Sequence, residues 1–163
     1  MQTARGFSVV ELMVTVALLA VMATLAAPAL QALLQNNRAA AIANDLVSAI
    51  RLARSEAVTR AQQVTLCPTV DGVACADSTN WATGWLIRNS AGATVKAYPA
   101  ITQATTGATL TGTRATLVFE QTGFLSGAEF TFSLRISRCR GDNNRDVVVR
   151  AQGRTEVTKV ACT

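Results

Sequence analysis

The N-terminal part of the chain is far more apolar than the remainder. Phe7 to Leu30 comprises 24 residues with a single charged one, Glu11. A helix of about 20 apolar residues spans the roughly 30 Å hydrocarbon core of a bilayer. The pattern therefore predicts a transmembrane helix over residues 7–30. The carboxylate of Glu11 near its start is unusual in such a segment and indicates a specific role.

A cleavable secretory signal is the alternative interpretation of this segment. It would use Arg5 as its basic start and the Ala27-Pro28-Ala29 stretch as its cleavage site. Such signals have an apolar core of about 7–15 residues without a charge. The length of the apolar run and the presence of Glu11 both favour the membrane helix.

Beyond Pro28 the apolar positions narrow to one face of a helix. They recur at spacings of three and four and comprise Leu30, Leu33, Leu34, Ile42, Leu46, Ile50 and Ala53 or Ala57. Since no glycine or further proline occurs before Pro68, one helix is predicted from Phe7 to about Ala61, with residues 31–62 as its amphipathic part. Pro28 lacks a backbone donor, which predicts a bend or local unwinding there.

From residue 63 to residue 163 the pattern changes to that of strands. The predicted strands are Val64 to Cys67, Trp81 to Asn89, Ala93 to Tyr98, and the segments ATLVFE, EFTFSLRIS, RDVVVRA and RTEVTKVAC. Ile101 to Thr113 is expected to be a loop or a weak edge strand. Alternating apolar residues from Phe130 to Ile136 predict the sheet face that packs on the helix. The predicted fold is α+β, a long N-terminal helix laid by its second half on an antiparallel sheet.

Four cysteines provide the next constraint: Cys67, Cys75, Cys139 and Cys162. An even set behind an export-type N-terminus indicates disulfides in an oxidising compartment. Four cysteines allow three pairings, and we favour the sequential one because it closes the shortest loops. No C-x-x-C spacing and no histidine occur in the sequence, so neither a metal site nor a cofactor is predicted.

The composition also argues against catalysis. Without histidine the Ser-His and Cys-His arrangements cannot form, and no glycine-rich phosphate loop occurs. Trp81 and Trp85, four residues apart on a predicted strand, are interpreted as core. Glu56 and Arg60 are interpreted as a solvated helix pair, not as a catalytic acid and its partner. The sequence predicts a protein that is not an enzyme.

The N-terminal motif resembles a known signal. Gly6-Phe7, with Glu11 at the fifth position from Phe7 and Pro28 further along the apolar helix, resembles the class III signal of type IV pilins and type II secretion pseudopilins. In that family a prepilin peptidase cleaves after the glycine and methylates the new N-terminus. The resemblance implies a leader of residues 1–6, cleavage between Gly6 and Phe7, N-methylation of Phe7, and Pro28 as the helix-bending proline.

The resemblance also gives Glu11 a role, namely pairing with the N-terminal amine of a neighbouring subunit during filament assembly. Independently, a charge at the bilayer centre costs about 2.5–3.5 kcal/mol on insertion scales and therefore needs a partner. The alternative is that Glu11 lies at the membrane interface and extends its carboxylate into water.

Longer stretches resemble the minor pilins and pseudopilins of the GspH/FimT/FimU kind. These stretches are ARSEAVTRAQQVTLCP (residues 53–68), WATGWLI (81–87), FEQTGFLS (119–126) and VVVRAQGRTEV (147–157). The resemblance implies a β-rich domain over residues 63–163 and a subunit that initiates or caps a type IV pilus or a type II secretion pseudopilus. It further implies a single-pass protein of the bacterial inner membrane with a periplasmic domain, which then moves to the filament tip. The implied partners are other minor pilins, the major pilin and the prepilin peptidase.

DNA uptake is the alternative function, because some FimT-type pilins bind DNA through a C-terminal G-R-x-R element and nearby basic residues. The candidate residues here are Arg138, Arg140, Arg145, Arg150, Arg154 and Lys159. A local surplus of positive charge of this kind attracts phosphate. However, Gly153-Arg154-Thr155-Glu156 has an acid where the second arginine would stand, and no aromatic residue follows Phe132 to stack on bases. The resemblance to a structural tip subunit is therefore preferred.

Overall fold

The structure is a computed structural model and describes residues 8–101, 107–139 and 141–162. The predicted cleavage site, Gly6 and Phe7, and the candidate cation Arg140 lie outside these ranges. Every structural statement below concerns the described residues.

One helix, α1, runs from Val9 to Arg60 over 52 residues. Ser8 caps its start, and its side-chain oxygen accepts a hydrogen bond from the Val10 N–H at 3.2 Å. Ala61 ends the helix in a left-handed conformation (φ 48°). The long helix agrees with the prediction. A bend or local unwinding was expected at Pro28, and the second of these does not occur, because the helix is uninterrupted there.

Eight strands follow the helix within the described ranges. They are β1 (Val64–Pro68), β2 (Trp85–Asn89), β3 (Thr94–Tyr98), β4 (Ala108–Gly112), β5 (Leu117–Phe119), β6 (Phe130–Ile136), β7 (Asn144–Val149) and β8 (Thr155–Val160). They form two four-stranded antiparallel sheets, in the orders β3-β2-β1-β5 and β4-β6-β7-β8. The predicted α+β fold, a long N-terminal helix packed on antiparallel strands, is confirmed, but the strands form two sheets and not one. Alternation along a strand identifies its buried face but not its neighbours.

Part of the segment expected to be a loop or weak edge strand, β4, provides one edge of the second sheet, while residues 102–106 of that segment lie outside the described ranges. Among the described strands β4 pairs with β6, where Leu110 lies opposite Leu134, and on its other side it has a single bridge from Thr111 to Asn80. Along β6 the buried positions alternate, and Phe130, Phe132, Leu134 and Ile136 all face the core as predicted. Strands β6, β7 and β8 contact α1, as do β1, β2 and β5 from the first sheet.

The buried face of α1 starts later along the helix than predicted. Its buried residues are Ala39, Ala43, Leu46, Val47, Ala49, Ile50, Ala53 and Ala57. Leu30, Leu33 and Leu34, which were expected to belong to this face, are 46–57% exposed. With about 3.6 residues per turn, they lie on a different side of the helix from Leu46 and Ile50 and face away from the domain. The domain itself reaches α1 as far as the Ala32 carbonyl, which accepts a hydrogen bond from Asn143 Nδ2 at 3.3 Å.

Trp81 and Trp85 are both in the core, as predicted, but they do not share a strand. Trp81 begins a short 3-10 turn (Trp81–Thr83), and Gly84 separates that turn from β2. The Trp81 ring meets Phe132 edge to face with 4.8 Å between ring centroids. A Cβ atom on Gly112 would lie 2.4 Å from Trp81 Nε1, so the tryptophan fits only because residue 112 is glycine.

Candidate assembly interface

The first half of α1 is an uncovered apolar surface. All its large apolar side chains from Val9 to Leu34 are 46–75% exposed. By length and composition α1 is the one described helix able to cross a membrane, and none of its most apolar 18-residue window is buried within the chain. An apolar surface of this size requires lipid or other apolar helices around it.

Glu11 lies in the first turn of this helix. The helix dipole favours a negative charge there, since the free N–H groups point toward it. The nearby hydroxyl of Thr15 donates to the Leu12 carbonyl at 2.8 Å, so that polar group is satisfied within the helix. Within the described residues Glu11 has neither a hydrogen bond nor an ion pair, which leaves its carboxylate available to a group outside this part of the chain.

Polar contacts mark where the globular domain begins on α1. Gln35 Nε2 donates to the Arg138 carbonyl at 3.0 Å. At the next residue of the helix, Arg145 Nη2 donates to Asn36 Oδ1 at 2.5 Å, while Nη1 donates to the carbonyls of Asp142 and Asn144. Arg145 is only 5% exposed. It therefore fixes the start of β7 to the helix and is not part of an exposed basic surface.

The other candidate DNA-binding cations are placed differently from one another. Arg150 forms ion pairs with Glu129 at 2.6 Å and Glu156 at 3.2 Å. The hydrogen bond to Glu129 contributes most to raising the pKa of the Arg150 guanidinium, and the hydrogen bond to Glu156 contributes next. Arg138, Arg154 and Lys159 are exposed. The predicted basic region is thus divided among buried, neutralised and exposed residues.

Both disulfides follow the sequential pairing that we favoured. Cys67 is joined to Cys75, and Cys139 to Cys162, with Cα–Cα distances of 5.5 and 5.4 Å. The first closes a loop after β1, and the second links the segment after β6 to the end of β8. No group of three or more metal-ligating side chains occurs among the described residues.

The disulfide-closed loop after β1 is organised by Asp71. Its Oδ1 accepts hydrogen bonds from the N–H groups of Val73 and Ala74 at 2.8 and 2.9 Å, and Thr69 Oγ1 lies 3.1 Å away. The Ala74 and Val73 N–H groups, then the Thr69 hydroxyl, lower the pKa of Asp71 to about 2. This loop exposes Val70 and Val73 to solvent.

Three of the stretches that carry the resemblance meet at Arg54, a residue that no pattern in the sequence distinguishes. Arg54 Nε donates to the Gly123 carbonyl at 3.0 Å. A Cβ on Gly153 would lie 2.4 Å from that carbonyl oxygen and 2.8 Å from Arg54 Nε. We call Arg54, Gly123 and Gly153 the Arg54 junction. Its sequence signal was a glycine in each of two turn segments, but nothing in the sequence linked them to the arginine.

Comparison with known protein families finds two matches in the chain. Residues 43–153 match the protein family described as Type II transport protein GspH, and residues 1–27 match the Prokaryotic N-terminal methylation motif. No curated protein matches the chain by sequence.

Two solved structures share the fold, and both are crystal structures of the type IV minor pilin FimU of Pseudomonas aeruginosa (strain PAO1). The form in space group P21 has a TM-score of 0.62 and 20% identity, covering 78% of this chain and 96% of that one. The form in space group P65 has a TM-score of 0.57 and 21% identity, covering 74% and 97%. A long apolar N-terminal helix, a methylation motif and a family match over more than half its length establish that this chain belongs to the GspH family of structural minor pilins and pseudopilins.

Proposed function

We propose that this chain is a minor subunit that takes part in initiating or capping the assembly of a type IV pilus or a type II secretion pseudopilus. The observation that carries the proposal is the division of α1 into two halves. The first half is exposed over its whole apolar length, while one face of the second half is buried against both sheets of the domain. A chain built in this way presents an apolar helix for other helices to pack around.

Before assembly, the first half of α1 anchors the protein in the bacterial inner membrane and leaves the globular domain in the periplasm. Two disulfides support this location, because such bonds persist in oxidising compartments. The prepilin peptidase cleaves between Gly6 and Phe7 and methylates Phe7. The match to the methylation motif over residues 1–27 supports this processing.

Assembly uses the carboxylate of Glu11. After cleavage, the amine of Phe7 on a neighbouring subunit becomes its partner, and the ion pair forms in the apolar interior of the filament where an isolated charge is costly. Pro28 allows the helix to adapt to its neighbours. The partners are other minor pilins or pseudopilins and the major pilin, through their N-terminal helices.

The test is complementation of a strain that lacks the gene. Glu11→Ala should leave cleavage and membrane insertion intact but abolish or strongly reduce the subunit recovered in sheared filaments, together with piliation or secretion. Thr15→Ala is the matched control, since its hydroxyl is satisfied within the helix, and it should behave as wild type. Normal filament formation by Glu11→Ala would refute the assembly role of this residue.

DNA uptake has less support as a function. Arg145 is buried against Asn36, and Arg150 is paired with two glutamates, so two of the candidate cations are occupied within the protein.

A further inference from the structure

A cleft of about 520 Å³ lies between the end of α1 and the β7–β8 turn. Arg51 and Arg54 line it from the helix, and Arg154 lines it from the turn. None of the residues described as lining the cleft is acidic. We call this feature the arginine cleft.

The arginines of the cleft are largely without partners in the chain. Arg51 and Arg154 are exposed, and neither has an ion pair or a side-chain hydrogen bond within the described residues. Arg54 uses Nε for the Gly123 carbonyl. The three positive charges around the cleft repel each other, and the attraction of an anion placed among them offsets this repulsion. Guanidinium groups bind carboxylate and phosphate oxygens in pairs, which suits either anion.

The surroundings of the cleft have the character of a protein interface. Val58 lines it and is 51% exposed, and Phe124, next to the Gly123 that contacts Val58, is 52% exposed. Arginine together with exposed aromatic and aliphatic side chains is typical of protein interfaces. The cleft also includes Ser55 and Thr59, which lie on the part of α1 that the sheets leave uncovered.

We propose that the arginine cleft binds an aspartate or glutamate side chain of a neighbouring pilin subunit in the filament. This inference rests on the proposed function, because it requires neighbouring subunits. A nucleic acid fits less well. Its phosphates repeat along the strand, so it would also approach the residues next to the cleft. There, Arg150 lies in the same turn as Arg154 and is paired with Glu129 and Glu156, whose negative charges repel phosphate. A single carboxylate needs only the cleft itself.

The first test is incorporation of the full-length protein into filaments. Arg51→Gln with Arg154→Gln should reduce the subunit recovered in sheared filaments roughly tenfold, the loss expected for one charge-assisted contact. Lys96→Gln with Lys159→Gln removes the same charge from exposed positions on the edge strands β3 and β8 and should have no effect. Equal incorporation of the arginine variant and wild type overturns the inference.

The Glu11→Ala variant, measured in parallel, separates this inference from the proposed function. If Glu11→Ala reduces incorporation and the arginine variant does not, the subunit role stands and the cleft has no part in it. If deletion of the gene changes neither piliation nor secretion, the proposed function fails, and the cleft inference fails with it.

The second test identifies the anion. A benzoylphenylalanine at position 55, inside the cleft, is photo-crosslinked in assembled filaments, and the attached molecule is identified by mass spectrometry. The expected product is a pilin peptide with Asp or Glu near the crosslinked residue, and its yield should fall several-fold in the arginine variant. The acid should then be changed to its amide. This change combined with the arginine variant should lower incorporation no further than either change alone, because both remove the same contact. A nucleotide adduct, or a peptide without an acid, overturns the inference.

Discussion

Arg54 Nε donates a 3.0 Å hydrogen bond to the carbonyl oxygen of Gly123, across 69 residues of sequence. Gly153 packs against both groups. The helix, the turn after β5 and the β7–β8 turn are thereby fixed together at one point. The family match ends at residue 153, so this junction belongs to the part of the chain that the family shares.

Gly153→Ala should destabilise the domain strongly. The backbone at residue 153 has φ of +75°, and a Cβ there would lie 2.4 Å from the Gly123 oxygen. Conformational strain and overpacking together should cost about 3 kcal/mol. Urea denaturation of the full-length protein in detergent checks this, with the fluorescence of the two buried tryptophans as the signal.

Gly141→Ala is the matched control for that experiment. Its φ is also positive, at +68°, but a Cβ there would have nothing within 4 Å. It should cost only the strain of the left-handed conformation, about 1–2 kcal/mol. Equal losses for the two alanine variants would mean that the close packing of Gly153 does not contribute to stability.

The extent to which the sequence predicted this fold differs from element to element. The helix and the β6 face depend on local spacing, and both follow from it. The division into two sheets depends on which strands pair, and β4 pairs with β6 in spite of an intervening β5. Short-range alternation contains no information about such partners.

The site residues show the same limit. Glu11 stands out in the sequence because a charge in an apolar run is unusual. Arg145 lies at the start of β7, directly after a polar turn segment, and resembles an exposed cation, but its partner Asn36 is 109 residues away. The arginine cleft likewise combines two helix residues with one from a distant turn. Contacts of this kind are set by the packing of the helix on the sheets.

The Cys139–Cys162 disulfide should stabilise the β8 edge of the second sheet. In the chain-entropy model a loop of this length contributes about 3 kcal/mol. Cys139→Ala with Cys162→Ala should therefore lower the free energy of unfolding by that amount and speed hydrogen exchange at the β8 amides. Cys67→Ala with Cys75→Ala should leave β8 exchange unchanged, because that loop follows β1. Unaltered β8 exchange in the first variant would show that the strand does not depend on the bridge.

Processing provides a test of the N-terminal motif. Mass spectrometry of the protein purified from its own cells should find a mature chain that begins with N-methylated Phe7. Gly6→Val should block cleavage, because the proposed peptidase cleaves directly after this glycine. The uncleaved protein should stay in the membrane fraction, since α1 is unchanged. A mature chain that begins after Ala29 would instead identify the segment as a secretory signal.

Asp71 should make the disulfide-closed loop after β1 sensitive to strong acid. Its pKa is lowered from 3.8 to about 2 in the folded chain, so its hydrogen bonds stabilise the loop above pH 3.8 and that contribution is lost as the pH falls through about 2. An NMR titration of the Asp71 carboxyl carbon in the full-length protein should have its midpoint near pH 2. Thr69→Val removes one hydrogen-bond donor and should raise the midpoint toward 3.8, while the bonds from Ala74 and Val73 keep it below that value. A wild-type midpoint at 3.8 would contradict the role of these bonds.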